Sequence, residues 1–145
     1  MSGKIVIADA STLIVFSKLK IIHVLNDLFG EVIIPEAVYK EVFRKNRQSG
    51  LDLGEMVYIK VKKVIDTKMV SLLVESFGRG EAELFVLGKE MKADILIIDE
   101  KKARKTARRA GFKVIGVLGL LVMAKRKGVI DVAFRKKLPS WESLV

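Results

Sequence analysis

The residues best suited to chemistry in this sequence are carboxylates in places where a folding chain seldom leaves them. Asp9 follows the apolar run Ile5-Val-Ile-Ala8, and Asp99 follows Ile95-Leu-Ile-Ile98. Each run reads as a strand buried on both faces. Each aspartate therefore falls at the carboxyl end of a strand, where open α/β sheets bind their ligands. Either one alone would serve equally well as a helix N-cap, but the pair at equivalent positions points to a shared site. Two glutamates join them. Glu41 is flanked by Val38 and Val42, at spacings of three and one, on the helix face that should be buried. Glu81 has Leu84, Phe85 and Gly88 at i+3, i+4 and i+7 and so shares an inward stripe. A charge at a helix N-terminus, worth roughly 0.3–1 kcal/mol, does not explain that alignment. Glu36 can point to water or serve its helix N-terminus, and Glu83 falls off the stripe and is expected to be solvated.

Four carboxylates meeting at one sheet edge repel one another and lose hydration unless a multivalent cation neutralises them. The chain has no cysteine, which excludes disulfides, thiolate zinc sites and a Cys nucleophile. All-carboxylate ligation favours Mg²⁺ or Mn²⁺ over Zn²⁺. The only histidine, His23, stands on a mostly apolar helix well before the acidic positions and reads as structural. Lys and Arg together number 27 against 17 Asp and Glu, a formal charge of +10, and the natural partner of such a surface is a polyanion. An acidic, metal-filled centre in a basic surround draws in a phosphodiester and activates a water against it. Lys101, Arg104, Lys105 and Arg108 recur at i, i+3, i+4 and i+7, a basic stripe opposite Ala103, Ala107 and Ala110 that is expected to contact RNA.

These side chains need a scaffold, and the 145 residues suffice for one domain around one core, so residues 1–145 are expected to form a single domain. A helix carrying Leu13, Phe16 and Leu19 can be capped by Ser11 or Thr12, and a second runs from Ile21 to Phe29 and stops at Gly30. Glu31 to Ile34 is a strand, and Pro35 fits the first turn of a helix reaching about Gln48. After the break at Gly50 to Gly54, Met56 to Val64 alternates as an edge strand does. Asp66 to Ser76 is helical, the Gly78-Arg-Gly80 breaker precedes a helix over Glu81 to Met91, and Asp94 to Ile98 is a strand. A basic helix ends at Gly111, Lys113 to Val117 is the last strand, a helix follows to Lys127, and a short one lies near Trp141. Strands separated by helices mean a mostly parallel sheet covered on both sides. The longest uncharged apolar stretch covers only residues 114–124, against the roughly 20 of a membrane span. The expectation is a cytoplasmic protein with no membrane association.

Taken together, Val6-Ile-Ala-Asp-Ala-Ser-Thr-Leu-Ile14, Pro35-Glu-Ala-Val-Tyr-Lys-Glu41, Gly80-Glu-Ala-Glu83 and Leu96-Ile-Ile-Asp-Glu-Lys-Lys-Ala-Arg104 resemble the PIN-domain family. Gly80-Glu-Ala-Glu83 and Val114 to Lys125 look most like an archaeal and bacterial branch related to VapC-type toxins. The resemblance implies a three-layer α/β/α sandwich, a metal-dependent endoribonuclease site, frequent homodimers and, for a toxin, an antitoxin protein as partner. It assigns Mg²⁺ or Mn²⁺ binding to Asp9, Glu41, Glu81 and Asp99, with Ser11 or Thr12 hydrogen-bonding a carboxylate or water. Glu81 replaces the more usual Asp at the third acidic position, and Ile97 stands where a Thr often precedes the fourth acid by two. Glu100, next to Asp99, can take over or share the fourth ligand role.

An acidic pocket at strand ends also occurs in receiver domains and haloacid-dehalogenase phosphatases. The latter need a second Asp where this chain has Ser11, and the former an acidic pair where Ala8 precedes Asp9. No strand is followed by a Gly-rich phosphate-cradling loop. The remaining rival is a PIN-like module that has lost catalysis and binds RNA or protein.

Overall fold

The computed structural model describes residues 3–49 and 57–130, with side chains for 3–44 and 57–130. Five strands, β1 (Val6–Ala8), β2 (Val32–Pro35), β3 (Ile59–Lys62), β4 (Ile95–Ile97) and β5 (Val114–Ile115), form one sheet in the order β3-β2-β1-β4-β5. All the pairings are parallel. The order runs outward one way from β1 to β3 and the other way through β4 to β5, so the chain reverses direction across the sheet between β1 and β4. That reversal opens the crevice in which such sheets seat ligands, and Asp9 and Asp99 follow the two strands that border it.

Alternation along the strands divides the core into two layers. Val6 and Ala8, Val32 and Ile34, and Ile95 and Ile97 pack on one face against α1 (Ala10–Lys18), α2 (His23–Phe29) and α7 (Val117–Arg126). Ile7, Ile33, Leu96 and Ile98 pack on the other against α4 (Thr67–Leu73), α5 (Arg79–Glu90) and α6 (Lys101–Arg109). The result is a three-layer α/β/α sandwich. The remaining helix, α3 (Glu36–Ser49), leaves the carboxyl end of β2, buries Val38 and Val42, and touches both α1 and α5. It thereby bridges the two helical layers over the crevice. Gly88 lets α5 lie close on the sheet, because a Cβ there would sit 3.1 Å from Leu96 Cδ2 and 3.3 Å from Phe112 Cε1.

Several boundaries differ from expectation for identifiable reasons. Asp9, not Ser11 or Thr12, caps α1, since its carboxylate accepts from the Thr12 amide. Pro35 closes β2 in register with Lys62 instead of opening α3; it lacks an amide hydrogen but still extends the strand. The expected breaker at Gly78-Arg-Gly80 is only partly one: Gly78 is the N-cap, and α5 already includes Arg79 and Gly80. β3 is shorter than expected and exposes Lys60, Val61 and Lys62 while burying Ile59, as an edge strand does. The break at Gly50 to Gly54, the start at Met56 and the helix near Trp141 lie outside the described residues. Among the described residues no helix is long and apolar enough to cross a membrane.

Candidate functional site

The crevice begins with Asp9. Its amide donates to Ile97 O at 3.0 Å, tying the end of β1 to the end of β4. Its carboxylate accepts from Thr12 N at 2.9 Å through Oδ1 and from Asp99 N at 2.7 Å through Oδ2. One side chain therefore caps a helix and joins two strand ends. Burial pushes its pKa up, and the nearby Asp99 carboxylate adds to the rise. The two amides and the Thr12 side chain act against it. Thr12 Oγ1 is fully buried and, among the described residues, lacks a well-formed hydrogen bond.

The turn after β4 is built differently. Asp99 does not cap α6. Glu100 does, accepting from Lys102 N at 3.2 Å and from Ala103 N at 2.7 Å. Two residues, Ile98 and Asp99, separate the end of β4 from this cap, whereas Asp9 follows β1 immediately. The added length gives the two acids different surroundings. Glu100 lines the same cleft as Asp9, Glu41 and Glu81, an open depression of about 470 Å³, with Ser11 also on its wall. Asp99 lines a neighbouring depression of about 550 Å³ with Arg104, Arg108 and Arg126. Burial raises the Asp99 pKa and the Arg104 guanidinium opposes the rise.

Glu41 and Glu81 reach the cleft from helices. Both are half-buried, as their places on inward stripes predict. Where α3 and α5 meet, a Cβ on Gly80 would stand 3.5 Å from Glu41 Oε2 and 3.5 Å from Val38 Cγ2, so a residue without a side chain borders the acid. The Glu81 pKa is pushed up first by burial, then by the charges of Glu100, Asp9 and Glu41, and finally by a hydrogen bond with Glu100. Carboxylates from four separate stretches of sequence thus repel one another across this space. Lys40, Arg44 and Arg79 line the same cleft.

Glu83 was expected to be solvated and is instead buried at 9% exposure. It accepts from Ala37 N at 3.0 Å and from Arg79 Nε at 3.2 Å. Ala37 lies in the first turn of α3, so this α5 carboxylate satisfies an amide that the helix start leaves unpaired and clamps the two helices that carry Glu41 and Glu81. A signal was available: Leu84-Phe-Val-Leu87 is apolar without interruption, which marks a helix covered on more than one side, and Arg79 stands at i−4 as a partner.

The basic stripe on α6 divides. Ala103 and Ala107 are buried as expected, although Ala110 is exposed. Lys101, Lys105 and Arg108 face solvent. Arg104 is committed to the fold, because its Nη1 donates to the carbonyls of Ile98, at 3.4 Å, and Asp99. His23 is solvent-facing at the start of α2, with Nε2 4.0 Å from Asp27 Oδ2, and takes no part in the cleft.

The donor chemistry of the cleft suits a hard cation, because every candidate ligand atom is a carboxylate oxygen. Among the described residues, however, no three of His, Cys, Asp or Glu are already arranged to hold a metal ion. Ligation would require side-chain rotation within the cleft.

The PIN-domain family model matches residues 5–140 of the chain. A PilT N-terminus domain protein from the hyperthermophilic archaeon Sulfolobus solfataricus P2 has a similar structure, with a TM-score of 0.56 and 19% sequence identity over 86% of this chain and 93% of that one. No curated protein matches.

Proposed function

The chain belongs to the PIN-domain family, whose members are generally nucleases, and from that premise we propose that it is a Mg²⁺- or Mn²⁺-dependent endoribonuclease. The observation that carries the reading is the cleft lined at once by Asp9, Glu41, Glu81 and Glu100, with Lys40, Arg44 and Arg79 among them. Burial and the neighbouring carboxylate charges raise the Glu81 pKa, a crowding that a divalent ion relieves, and the crevice of a parallel sheet is where such a ligand binds. Asp9, Glu41, Glu81 and Glu100 would hold the ion, with Asp99 as the alternative fourth ligand. A bound ion of this kind lowers the pKa of a coordinated water and neutralises charge on the phosphodiester.

The chain supplies the rest. Lys40, Arg44 and Arg79 attract the phosphate backbone to an otherwise anionic floor. Ser11, exposed at the start of α1, is placed to hydrogen-bond a phosphate oxygen or a water. Thr12 is placed to support Asp9 from the buried side. Lys101, Lys105 and Arg108 offer an outer basic surface for RNA. Homodimer assembly and a role as the toxin of an antitoxin-paired system are what the family resemblance implies, and a cytoplasmic setting is the expectation from the short apolar runs of the sequence. Sedimentation and co-purification with a co-expressed neighbouring gene product test the first two.

Mn²⁺ should raise the melting temperature and support cutting of RNA in an unstructured substrate. Asp9→Asn should abolish both. Because Asp9 also holds two backbone amides, Glu81→Gln is the cleaner variant, altering the cleft at a residue that is not itself a helix cap. The rival is a PIN-like module that binds RNA or protein without cutting, and the lack of a preformed ligand set among the described residues favours it. Retained RNA binding with no Mn²⁺ effect on stability or cleavage would establish that rival.

A further inference from the structure

Beyond the cleft, α3 displays an aromatic row that the acidic site does not use. Around the helix, each residue advances about 100°. Val38 and Val42 form the buried side and Glu41 faces the cleft. Lys40 and Arg44, also on the cleft wall, form the next row outward, and Tyr39 and Phe43 form the row beyond. Tyr39 is 36% exposed and Phe43 48% exposed, while Val38 and Val42 are at 0% and 1%. The two rings stack on each other with centroids 5.9 Å apart and planes inclined by 27°. A single exposed aromatic needs no explanation. Two in mutual contact, running parallel to a cationic row that borders the cleft, form a pattern.

We infer that this outer face of α3 binds single-stranded RNA, with bases stacking on Tyr39 and Phe43 and backbone phosphates meeting Lys40 and Arg44, so that the strand is led over the helix into the acidic cleft. The identity of the occupant rests on the ribonuclease reading. Its chemistry rests on the pairing of the two rows: flat aromatic faces take up bases regardless of sequence, and the adjacent cations neutralise the phosphates that accompany them. A duplex keeps its bases stacked inward and has no use for the aromatic row. This surface is also separate from the α6 stripe, where Lys101, Lys105 and Arg108 are exposed with no aromatic ring between them.

The test is fluorescence anisotropy with a fluorescein-labelled RNA of about a dozen nucleotides, single-stranded or annealed to its complement, in EDTA so that nothing is cut. Tyr39→Ala/Phe43→Ala should weaken single-strand binding about 5- to 150-fold for each base stack removed, leaving its salt dependence unchanged. Duplex binding should change little. Lys40→Ala/Arg44→Ala should instead reduce the slope of log K against log salt by about 0.7 for each phosphate that is no longer neutralised. Tyr39→Phe/Phe43→Tyr should retain affinity. Both ring positions are exposed, so folding should survive, as far-ultraviolet circular dichroism and melting would check.

Unchanged single-strand affinity in the double alanine variant overturns the inference. So does a shift in sedimentation coefficient with affinity retained, which would mark this face as an interface between two copies of the chain. Cleavage in Mn²⁺ is scored separately. A wild-type protein that binds in EDTA through Tyr39 and Phe43 but never cuts keeps this surface and loses the catalytic reading. One that cuts yet is indifferent to these side chains does the reverse.

Discussion

The two walls of the acidic cleft are made by different means. On the strand-end wall, the carboxylates of Asp9 and Glu100 each accept two backbone amides. On the helical wall, Glu41 and Glu81 depend for their location on how α3 docks against α5, a junction that Glu83 secures from its buried position. The strand-end acids are therefore helix caps as well as candidate ligands, whereas the helix-borne pair takes its place from the packing of α3 on α5. Half of the cleft is pre-organised by the backbone itself, and the other half by the docking of two helices. Such a division suits a site in which side chains must still converge on an ion.

The largest expected effect comes from removing the member that serves both roles. Asp9→Ala deletes the α1 cap, about 1 kcal/mol, and leaves the Asp99 amide without its acceptor, about 1–3 kcal/mol. A loss of roughly 2–4 kcal/mol in urea unfolding should accompany loss of Mn²⁺-dependent cleavage. A variant as stable as wild type would mean that Asp9 does not unite the strand ends. Glu83→Ala probes the other wall. It should cost about 1–3 kcal/mol for the stranded Ala37 amide and should shrink the Mn²⁺-induced rise in melting temperature, although Glu83 is no ligand. If stability falls while the Mn²⁺ response is unchanged, the clamp holds helices together without positioning Glu41 and Glu81.

The same division explains what could be read from the sequence. The parallel sheet, the three layers and the placing of candidate acids after β1 and on α3 and α5 were legible because strand-type apolar runs and helical stripes are strong signals of burial. The turn after β4 was not. Asp9 and Asp99 look equivalent in sequence, and only the residue count between strand end and helix cap separates them, at the resolution where element boundaries are set by tertiary pairing. Glu100 therefore emerges on the acidic cleft and Asp99 on the next. Glu83 was misplaced for a related reason, since a one-stripe view of α5 misses that the helix is covered on several sides. Arg104 counted as free charge because its use by two carbonyls depends on β4 and α6 meeting in space.

A smaller effect separates the two acids after β4. Glu100→Ala removes the α6 cap and should cost about 0.5–2 kcal/mol, with a marked loss of Mn²⁺ affinity measured by calorimetry. Asp99→Asn touches no cap and should remain within about 0.5 kcal/mol of wild type, with the weaker effect on Mn²⁺. The reverse ranking for the metal would return the fourth ligand role to Asp99 and make Glu100 a cap alone.

The smallest effect is a pH dependence confined to the crowded acids. Burial and mutual repulsion raise the pKa of Glu81, and burial raises those of Asp9 and Asp99. Between the ordinary carboxylate range and these raised values, the folded chain binds more protons at these groups than the unfolded chain does. Their contribution to stability therefore falls as pH rises through that window, and levels off once they are ionised in both states. Glu81→Gln removes one such group, so in EDTA the wild type should lose stability more steeply than the variant as pH rises above the ordinary glutamate range. The difference should stay below about 1 kcal/mol, because Glu81 is only half-buried and solvent screens it. Saturating Mn²⁺ should reverse the sign for the wild type, since an ion favours the ionised ligands and is bound more tightly as pH rises. Parallel pH profiles for the two proteins in EDTA would mean that the carboxylates do not crowd one another, and the helical wall would then need no cation to hold it together.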